Sequence, residues 1–421
     1  MPADSESPES DPRRPRLRPV EAFPVTAEGG RYVCLRDPSG LAPNPVFVPE
    51  PLLPIVALFD GERTADEIRR ELSGGTFGEI PLSKIDEVAD ALDRAFYLES
   101  PLLEAERRRV HAAFRAAPSR AAAHAGGAYP AEAGALGAAI DGYFALAEGP
   151  SAGGAPRRFP RALLAPHIDF RRGGPTYAAA YGALRGVEPP DTFVVLGTWH
   201  ASGERPFVLT EKDYETPLGA MPCDREFVRA LAKRLPRAGL FDEEIGHRHE
   251  HSIEFQAVML RRLFGESKRP PRIVPILVGS MHLPFFESGT APAGDAEIGD
   301  FLAALRETLA ERAGRVCLVG GVDLAHVGPR FGDRDPLTSE SLAFVEKEDR
   351  AMLDTVLGND ADAFFRSIAK DRDRRRVCGY PPTYALLSVL EPGARGRLVR
   401  YEQCTDRDGS QSVTIASVVF D

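Results

Sequence analysis

Short apolar runs, separated by longer amphipathic stretches, organise most of the chain after residue 160. Leu163-Leu164-Ala165-Pro166, Phe193-Val194-Val195-Leu196, "RIVPILV" at 272–278 and "VCLVG" at 316–320 are each bounded by turn residues. That is the pattern of strands buried on both faces. Helical spacing predicts helices over Asp224–Leu235, Ser252–Leu263, Asp295–Ala313, Leu342–Leu357, Ala361–Ala369 and Pro382–Leu390. Further strands are expected at Phe207–Leu209, Leu398–Tyr401 and Val413–Val419. Such alternation predicts an α/β fold, a mostly parallel sheet flanked by helices. The stretch 163–200 reads as strand, loop, helix, loop, strand, which predicts two neighbouring strands with their C-terminal ends at one edge. Ligand sites of open α/β sheets form at that edge. His167 and His200 follow those two strands, so the pair is expected to converge on one mouth.

The chain before this region has a different texture. Residues 1–16 are rich in Ser, Pro, Glu, Asp and Arg, the composition of a disordered tail. Residues 17–100 predict a small α+β domain, with strands at Tyr32–Leu35 and Val46–Val48 and helices over Pro51–Phe59, Ala65–Leu72 and Leu82–Ala95. Thr64 with Glu67 forms a capping box for the second helix, and Phe96–Leu98 reads as a strand or wing, so the whole is winged-helix-like. Residues 101–117 read as a charged linker helix and 118–421 as the large α/β domain.

Composition narrows the function classes. A length of 421 residues suits two or three domains. A net charge of −10 and the lack of a basic recognition helix argue against nucleic-acid binding. No apolar run approaches a membrane span, and the polar N-terminus lacks a signal-peptide core. Five scattered cysteines (34, 223, 317, 378 and 404) fit reduced thiols in the cytoplasm rather than a disulfide framework.

Three clusters besides His167 and His200 can carry chemistry. In His247-Arg248-His249-Glu250-His251-Ser252-Ile253-Glu254, the first two histidines are expected on a solvated face. His251 and Glu254 adjoin an apolar helix start and are the better site candidates. In "CLVGGVDLAHVG", a buried strand delivers Asp323 and His326 to the same sheet edge. Cys378 precedes a helix, where a thiol pKa is expected to be lowered; a small buried core thiol is the alternative. Imidazoles with a carboxylate or thiolate at one edge make a plausible open transition-metal site, and a spare imidazole there can act as general acid or base.

The stretch "PVFVPEPLLPIVALFDGERTADEI" resembles the small PqqD-like domains that hold peptide substrates for radical SAM enzymes. A stronger resemblance rests on seven collinear pieces: "AGGAYPAEAGALGAAIDGYF" at 125–144, "APHIDFRRGGPTYAAAY" at 165–181, "VVLGTWHASG" at 194–203, "EHSIEFQAVML" at 250–260, "IVPILVG" at 273–279, "GGVDLAHVGPRFG" at 320–332 and "VCGYPPTYALL" at 377–387. Together they resemble the Memo family, including the bacterial AmmeMemoRadiSam system protein B. The resemblance implies a fold similar to class III extradiol dioxygenases. It also implies a metal held by His167, His200 and Cys378, with Asp323 and His326 as catalytic groups in the same pocket. Asp169 is expected as an extra carboxylate lining it, and His251 and Glu254 as surrounding residues. The implied metal is iron or copper, and the implied partners are a radical SAM protein and an AMMECR-like protein. The leading expectation is a metal-dependent redox enzyme whose N-terminal domain recruits a peptide or partner. A non-enzymatic adaptor using the cleft to bind peptide or protein is the first alternative. A true extradiol dioxygenase is the second, and Cys378, where those enzymes have a carboxylate, speaks against it.

Overall fold

The structure is a computed structural model, and it describes residues 14–27, 29–37, 39–73, 80–147, 158–312 and 314–421. Most of the expected N-terminal tail, residues 1–13, lies outside the described residues. The chain divides into two compact units, with the boundary between Ala116 and Ala117.

The first unit opens with an antiparallel meander, β1 (Glu21–Ala27), β2 (Gly30–Arg36) and β3 (Val46–Pro49), in the order β1-β2-β3. Helices α1 (Leu53–Val56), α2 (Ala65–Ser73), α3 (Leu82–Arg94) and α4 (Pro101–Ala116) follow. The capping box is present: Thr64 N donates to Glu67 Oε2 at 2.8 Å, and Glu67 N donates to Thr64 Oγ1 at 3.3 Å. Ile55, Ile68, Ile85, Leu92 and Tyr97 form the unit's core with Leu35 and Val48. The wing expected at Phe96–Leu98 is not a hairpin. Leu98 makes only an isolated bridge to Leu17, and the sheet precedes the helices. Phe96 takes a left-handed φ of 65° just after α3, and Tyr97 Oη donates to the Leu35 and Asn44 carbonyls at 2.9 and 3.0 Å, so the segment is tied into the core and does not turn back on itself.

In the second unit, β4 (Ser119–Arg120) and β8 (Asp213–Tyr214) form a small parallel pair. The main sheet uses β5 (Ala162–Ala165), β6 (Thr192–Thr198), β7 (Phe207–Leu209), β9 (Arg272–Val278), β10 (Val316–Gly321), β11 (His326–Val327), β12 (Gly396–Thr405) and β13 (Ser412–Phe420). Its order is β11-β13-β5-β10-β6-β9-β7, with β12 on β13. The strands β5, β10, β6 and β9 are parallel; β13 and β7 flank them antiparallel. The expected adjacency of β5 and β6 is thus corrected: β10 lies between them. Local pattern fixes strand direction, whereas the order across a sheet is set by where later strands insert. The shared edge survives, because Gly321 is in register with both Ala165 and Gly197.

Alternate residues of these strands feed two separate cores, as the two-residue strand period requires. Ala162, Leu164, Val194, Leu196, Val274, Ile276 and Leu318 face one layer. That layer draws on α7 (Arg225–Arg234), α10 (Ala296–Ala310), α11 (Ser339–Leu357), α12 (Ala361–Ala369) and α13 (Tyr380–Val389), and α9 (Leu283–Ser288) packs at its margin. Leu163, Ala165, Phe193, Val195, Ile273, Leu277, Cys317 and Val319 face α5 (Ala133–Ala147), α6 (Phe170–Tyr181) and α8 (Glu254–Phe264) on the other side.

Two strand glycines let the 250–253 segment cross the sheet edge. A Cβ on Gly197 would lie 2.5 Å from Ser252 Oγ and from Ile253 Cγ1, and one on Gly321 would lie 2.4 Å from the Ser252 carbonyl oxygen. Ser252 Oγ donates to the Thr198 carbonyl at 2.7 Å and holds the segment down. Gly197→Ala is therefore expected to lower the unfolding free energy by about 1–3 kcal/mol, the usual cost of overpacking, measured by urea denaturation; a loss under a few tenths would mean the segment moves aside freely.

Candidate metal centre

Five chain segments meet at the shared edge and deliver the polar groups, with Asp323 and His326 coming from the one after β10. After β5, the His167 and Ile168 amides donate to Asp323 Oδ1 at 2.8 and 3.2 Å, so Asp323 clamps the turn that carries His167. After β6, the His200 amide donates to Glu250 Oε2 at 2.8 Å. The crossing segment brings in Glu250 and His251, and the turn before α13 brings in Cys378.

The rings of His167, His200 and His251 pack together, with centroids 4.9, 5.2 and 4.7 Å apart. Their ligand nitrogens all lie within 4.8 Å of one another. Exposure rises from buried His167 through half-buried His251 to exposed His200, so the cluster opens to solvent on one side. Cys378 Sγ stands 3.3 Å from His167 Nε2, and Asp323 Oδ2 stands 3.6 Å from the same nitrogen.

The tautomers follow from the partners. His167 Nδ1 lies 2.9 Å from the Gly321 carbonyl, which can only accept, so Nδ1 carries the proton and Nε2 keeps its lone pair. His326 Nδ1 is held in the same way by the Leu324 carbonyl at 3.1 Å. His200 Nδ1 and His251 Nδ1 face Glu250 Oε1 at 3.1 and 3.2 Å. Metal-binding histidines characteristically donate their second ring N–H to a carbonyl or carboxylate in this manner. Bond lengths near 2.0–2.3 Å in a tetrahedron place donor atoms roughly 3.3–3.7 Å apart, and the Cys378–His167 distance falls in that range. The donor set fits iron, copper or another borderline-soft ion.

Charges are arranged to match. Burial, then the charge of His200, holds the His167 imidazole down to about 3. Burial also keeps His251 well below its ordinary value and lowers His326. Burial pulls on His200 too, but the Glu250 carboxylate outweighs it and raises that imidazole. Glu250 is buried, which alone would raise it; His200, His251 and the His200 amide hold it far below the usual carboxylate range. Asp323 is raised by burial.

Some sequence-predicted residues stand elsewhere. Glu254 does not face the imidazoles: its carboxylate is buried against Arg120 and Tyr129 and accepts from the Ala123 and His124 amides at 3.2 and 3.0 Å. Asp169 caps α6, accepting from the Arg172 amide at 3.2 Å and from Arg172 Nε at 2.6 Å. His326 stands beside the three-histidine group without belonging to it. The lowered thiol expected at Cys378 is corrected: burial, then the Asp323 carboxylate, pushes it well up, because the residue sits ahead of the helix in a desolvated pocket. His247, expected on a solvated face, is fully buried; Nε2 donates to the Val208 carbonyl at 3.1 Å and Nδ1 accepts from Tyr214 Oη at 2.7 Å. His249 is half-buried, and its carbonyl accepts from His124 Nε2 at 2.8 Å. Sequence reading missed Glu250. Its one signal is position, a carboxylate between two histidines four residues before the start of α8.

The Memo-like protein family profile matches residues 120–419. The chain belongs to the Memo family. It is similar to a MEMO1 family protein of Aquifex aeolicus, 28% identical over 416 residues, covering 95% of this chain and 99% of the relative. A MEMO1 family protein of Thermus thermophilus is 28% identical over 331 residues, 78% of this chain and 90% of that one. Another, from Archaeoglobus fulgidus, is 30% identical over 261 residues, 62% of this chain and 86% of that one. The Aquifex match runs through the N-terminal unit as well as the Memo domain, so the two are shared together by that relative.

Burial of His247 is expected to make this Memo protein acid-sensitive. The imidazole is held down to about 3, first by burial, against an ordinary 6.5. The unfolded chain therefore takes up a proton first as pH falls below 6.5, so the stability is complete above that value and is lost between 6.5 and about 3. Each such histidine contributes a slope of about 1.4 kcal/mol per pH unit. Denaturant midpoints measured from pH 7 to 5 are expected to fall, and His247→Gln should remove about one proton's worth of that slope; an unchanged slope would show that His247 titrates normally.

Proposed function

We propose that this Memo protein is a metal-dependent redox enzyme that binds iron or copper through His167 and His200, with Cys378 as third ligand and His251 completing or exchanging with that set. The observation that carries the reading is the shared orientation of the imidazoles: His167, His200 and His251 each have Nδ1 against a fixed acceptor and Nε2 left for an ion. A bound iron or copper ion supplies one-electron redox chemistry at this edge of the sheet.

The protein groups divide the remaining work. Asp323 holds the His167 turn through two amides, and Glu250 fixes His200 and His251. Neutral His326, with Nδ1 on the Leu324 carbonyl, offers Nε2 as a proton acceptor and donor. Exposed His200 marks the side from which substrate arrives. We further propose that the N-terminal unit is PqqD-like and recruits a peptide or protein, and that the expected partners are a radical SAM protein and an AMMECR-like protein in the cytoplasm. Five free cysteines support a reducing setting. No helix among the described residues is long and apolar enough to cross a membrane.

Elemental analysis of anaerobically purified protein tests the reading. About one equivalent of iron or copper is expected in the wild type. His167→Ala and His200→Ala should each reduce metal affinity at least about 100-fold without loss of helical circular dichroism. Metal-free wild type with an intact fold would overturn the enzyme in favour of an adaptor that binds peptide in the cleft.

A further inference from the structure

The segment that crosses the sheet edge is irregular backbone. Between the short helical turn that ends at Arg248 and the start of α8 at Glu254, it belongs to no helix or strand. Carbonyls there have no ladder to join, and a buried carbonyl without a partner is costly. Those of His247, His249 and Glu250 find their partners in one other stretch, at the start of the second unit. Arg120 Nε donates to the His247 carbonyl at 2.9 Å, and Nη2 donates to the Glu250 carbonyl at 2.8 Å. His124 Nε2 donates to the His249 carbonyl at 2.8 Å.

Packing alone does not account for these two donors. Arg120 is 1% exposed, Nη1 is paired with Glu254, and the guanidinium lies 5.1 Å from the centre of the Tyr214 ring. Apolar side chains of similar volume fill the place of a buried ion pair at equal or lower cost. What the guanidinium adds is a rigid planar fork of donors, which here sets the spacing of two carbonyls three residues apart. One of them belongs to Glu250, whose carboxylate faces Nδ1 of both His200 and His251. His124 touches the same group: its ring meets that of His251 edge-on, with centroids 5.5 Å apart, and that of Phe255 at 5.8 Å. The His124 amide is itself fixed, donating to Glu254 Oε1 at 3.0 Å.

We propose that Arg120 and His124 are positioning residues of the metal centre: by gripping the carbonyls of His247, His249 and Glu250 they hold the Glu250 carboxylate and the His251 ring against His200 and His167. The inference rests on the functional reading above for what the centre binds. The grip itself is a property of the metal-free protein and is tested there as well. Groups that orient metal ligands in this way act on affinity and geometry without touching the ion.

Three variants of the full-length protein test it. Arg120→Lys keeps a cation for Glu254 but cannot span both carbonyls; His124→Leu removes one donor, and His124→Gln restores a donor without the ring. In metal-free protein, hydrogen exchange is read at the amides of His200, His251 and Ser252, which donate to Glu250. Arg120→Lys and His124→Leu are expected to speed exchange at these amides about tenfold, while the amides of β6 and β9 keep their protection and His124→Gln recovers most of the loss. Cobalt(II) alone is then titrated into the same proteins and followed by its visible absorption. Arg120→Lys and His124→Leu are expected to weaken cobalt affinity about 10- to 100-fold and to shift the absorption bands, with His124→Gln close to wild type. A purely structural role would loosen all amides together and leave the bands and the affinity of the folded fraction unchanged, and that result overturns the proposal. So does unchanged exchange at the three amides in His124→Leu. Should Arg120→Lys fail to fold, the two His124 variants decide the question alone. A wild type that takes up no cobalt, with the exchange effect present, would instead remove the metal reading and leave the grip on Glu250 standing.

Discussion

One buried carboxylate holds the candidate centre together. Glu250 accepts from the amides of His200, His251 and Ser252 at 2.8, 2.8 and 3.1 Å, and it faces Nδ1 of both His200 and His251. Hydrogen bonds to an ionised acceptor in a desolvated site are strong and mutually reinforcing. They fix two imidazoles from different chain segments in one tautomer and at one distance. Asp323 does the corresponding work for His167. The centre thus has two layers: an outer set of ring nitrogens and a thiol, and an inner set of carboxylates and carbonyls that aims them. Below that again, the buried Arg120–Glu254 pair ties the start of the domain to α8; breaking such a pair typically costs about 3–5 kcal/mol.

What the sequence reveals follows physical periodicity. Strands β5, β6, β9 and β10 are covered on both faces, so each appears as an unbroken apolar run, and the histidines just past two of them are legible as edge residues. Helices with one apolar stripe are equally plain. The order of strands across the sheet is not, because nothing local in Val316–Gly321 says that it will separate β5 from β6. The segment 247–254 misleads for a related reason. Its polar letters look solvated, yet His247 and Glu250 are buried because each polar atom meets a partner from a distant part of the chain. Glu254 shows the converse: adjacency to His251 in sequence becomes separation in space once α8 begins and turns its carboxylate towards Arg120.

Cys378 illustrates how burial can overrule helix geometry. Proximity to a helix N-terminus favours a thiolate, but desolvation and the Asp323 carboxylate disfavour it more strongly. A cation is what would reverse that balance, and the neutral imidazole of His167 beside it is already in the form that can bind one.

The insertion of β10 between β5 and β6 also has a consequence in time. When the ribosome has released His167 and His200, the strands that carry them share no hydrogen bonds; both wait for Val316–Gly321, more than a hundred residues later. Cys378 and the clamp from Asp323 come later still. Contacts of such large sequence separation form late in folding, so a nascent chain exposes scattered single donors rather than a preformed chelate. The topology keeps the imidazoles of the emerging polypeptide apart until the last strands of the domain are in place.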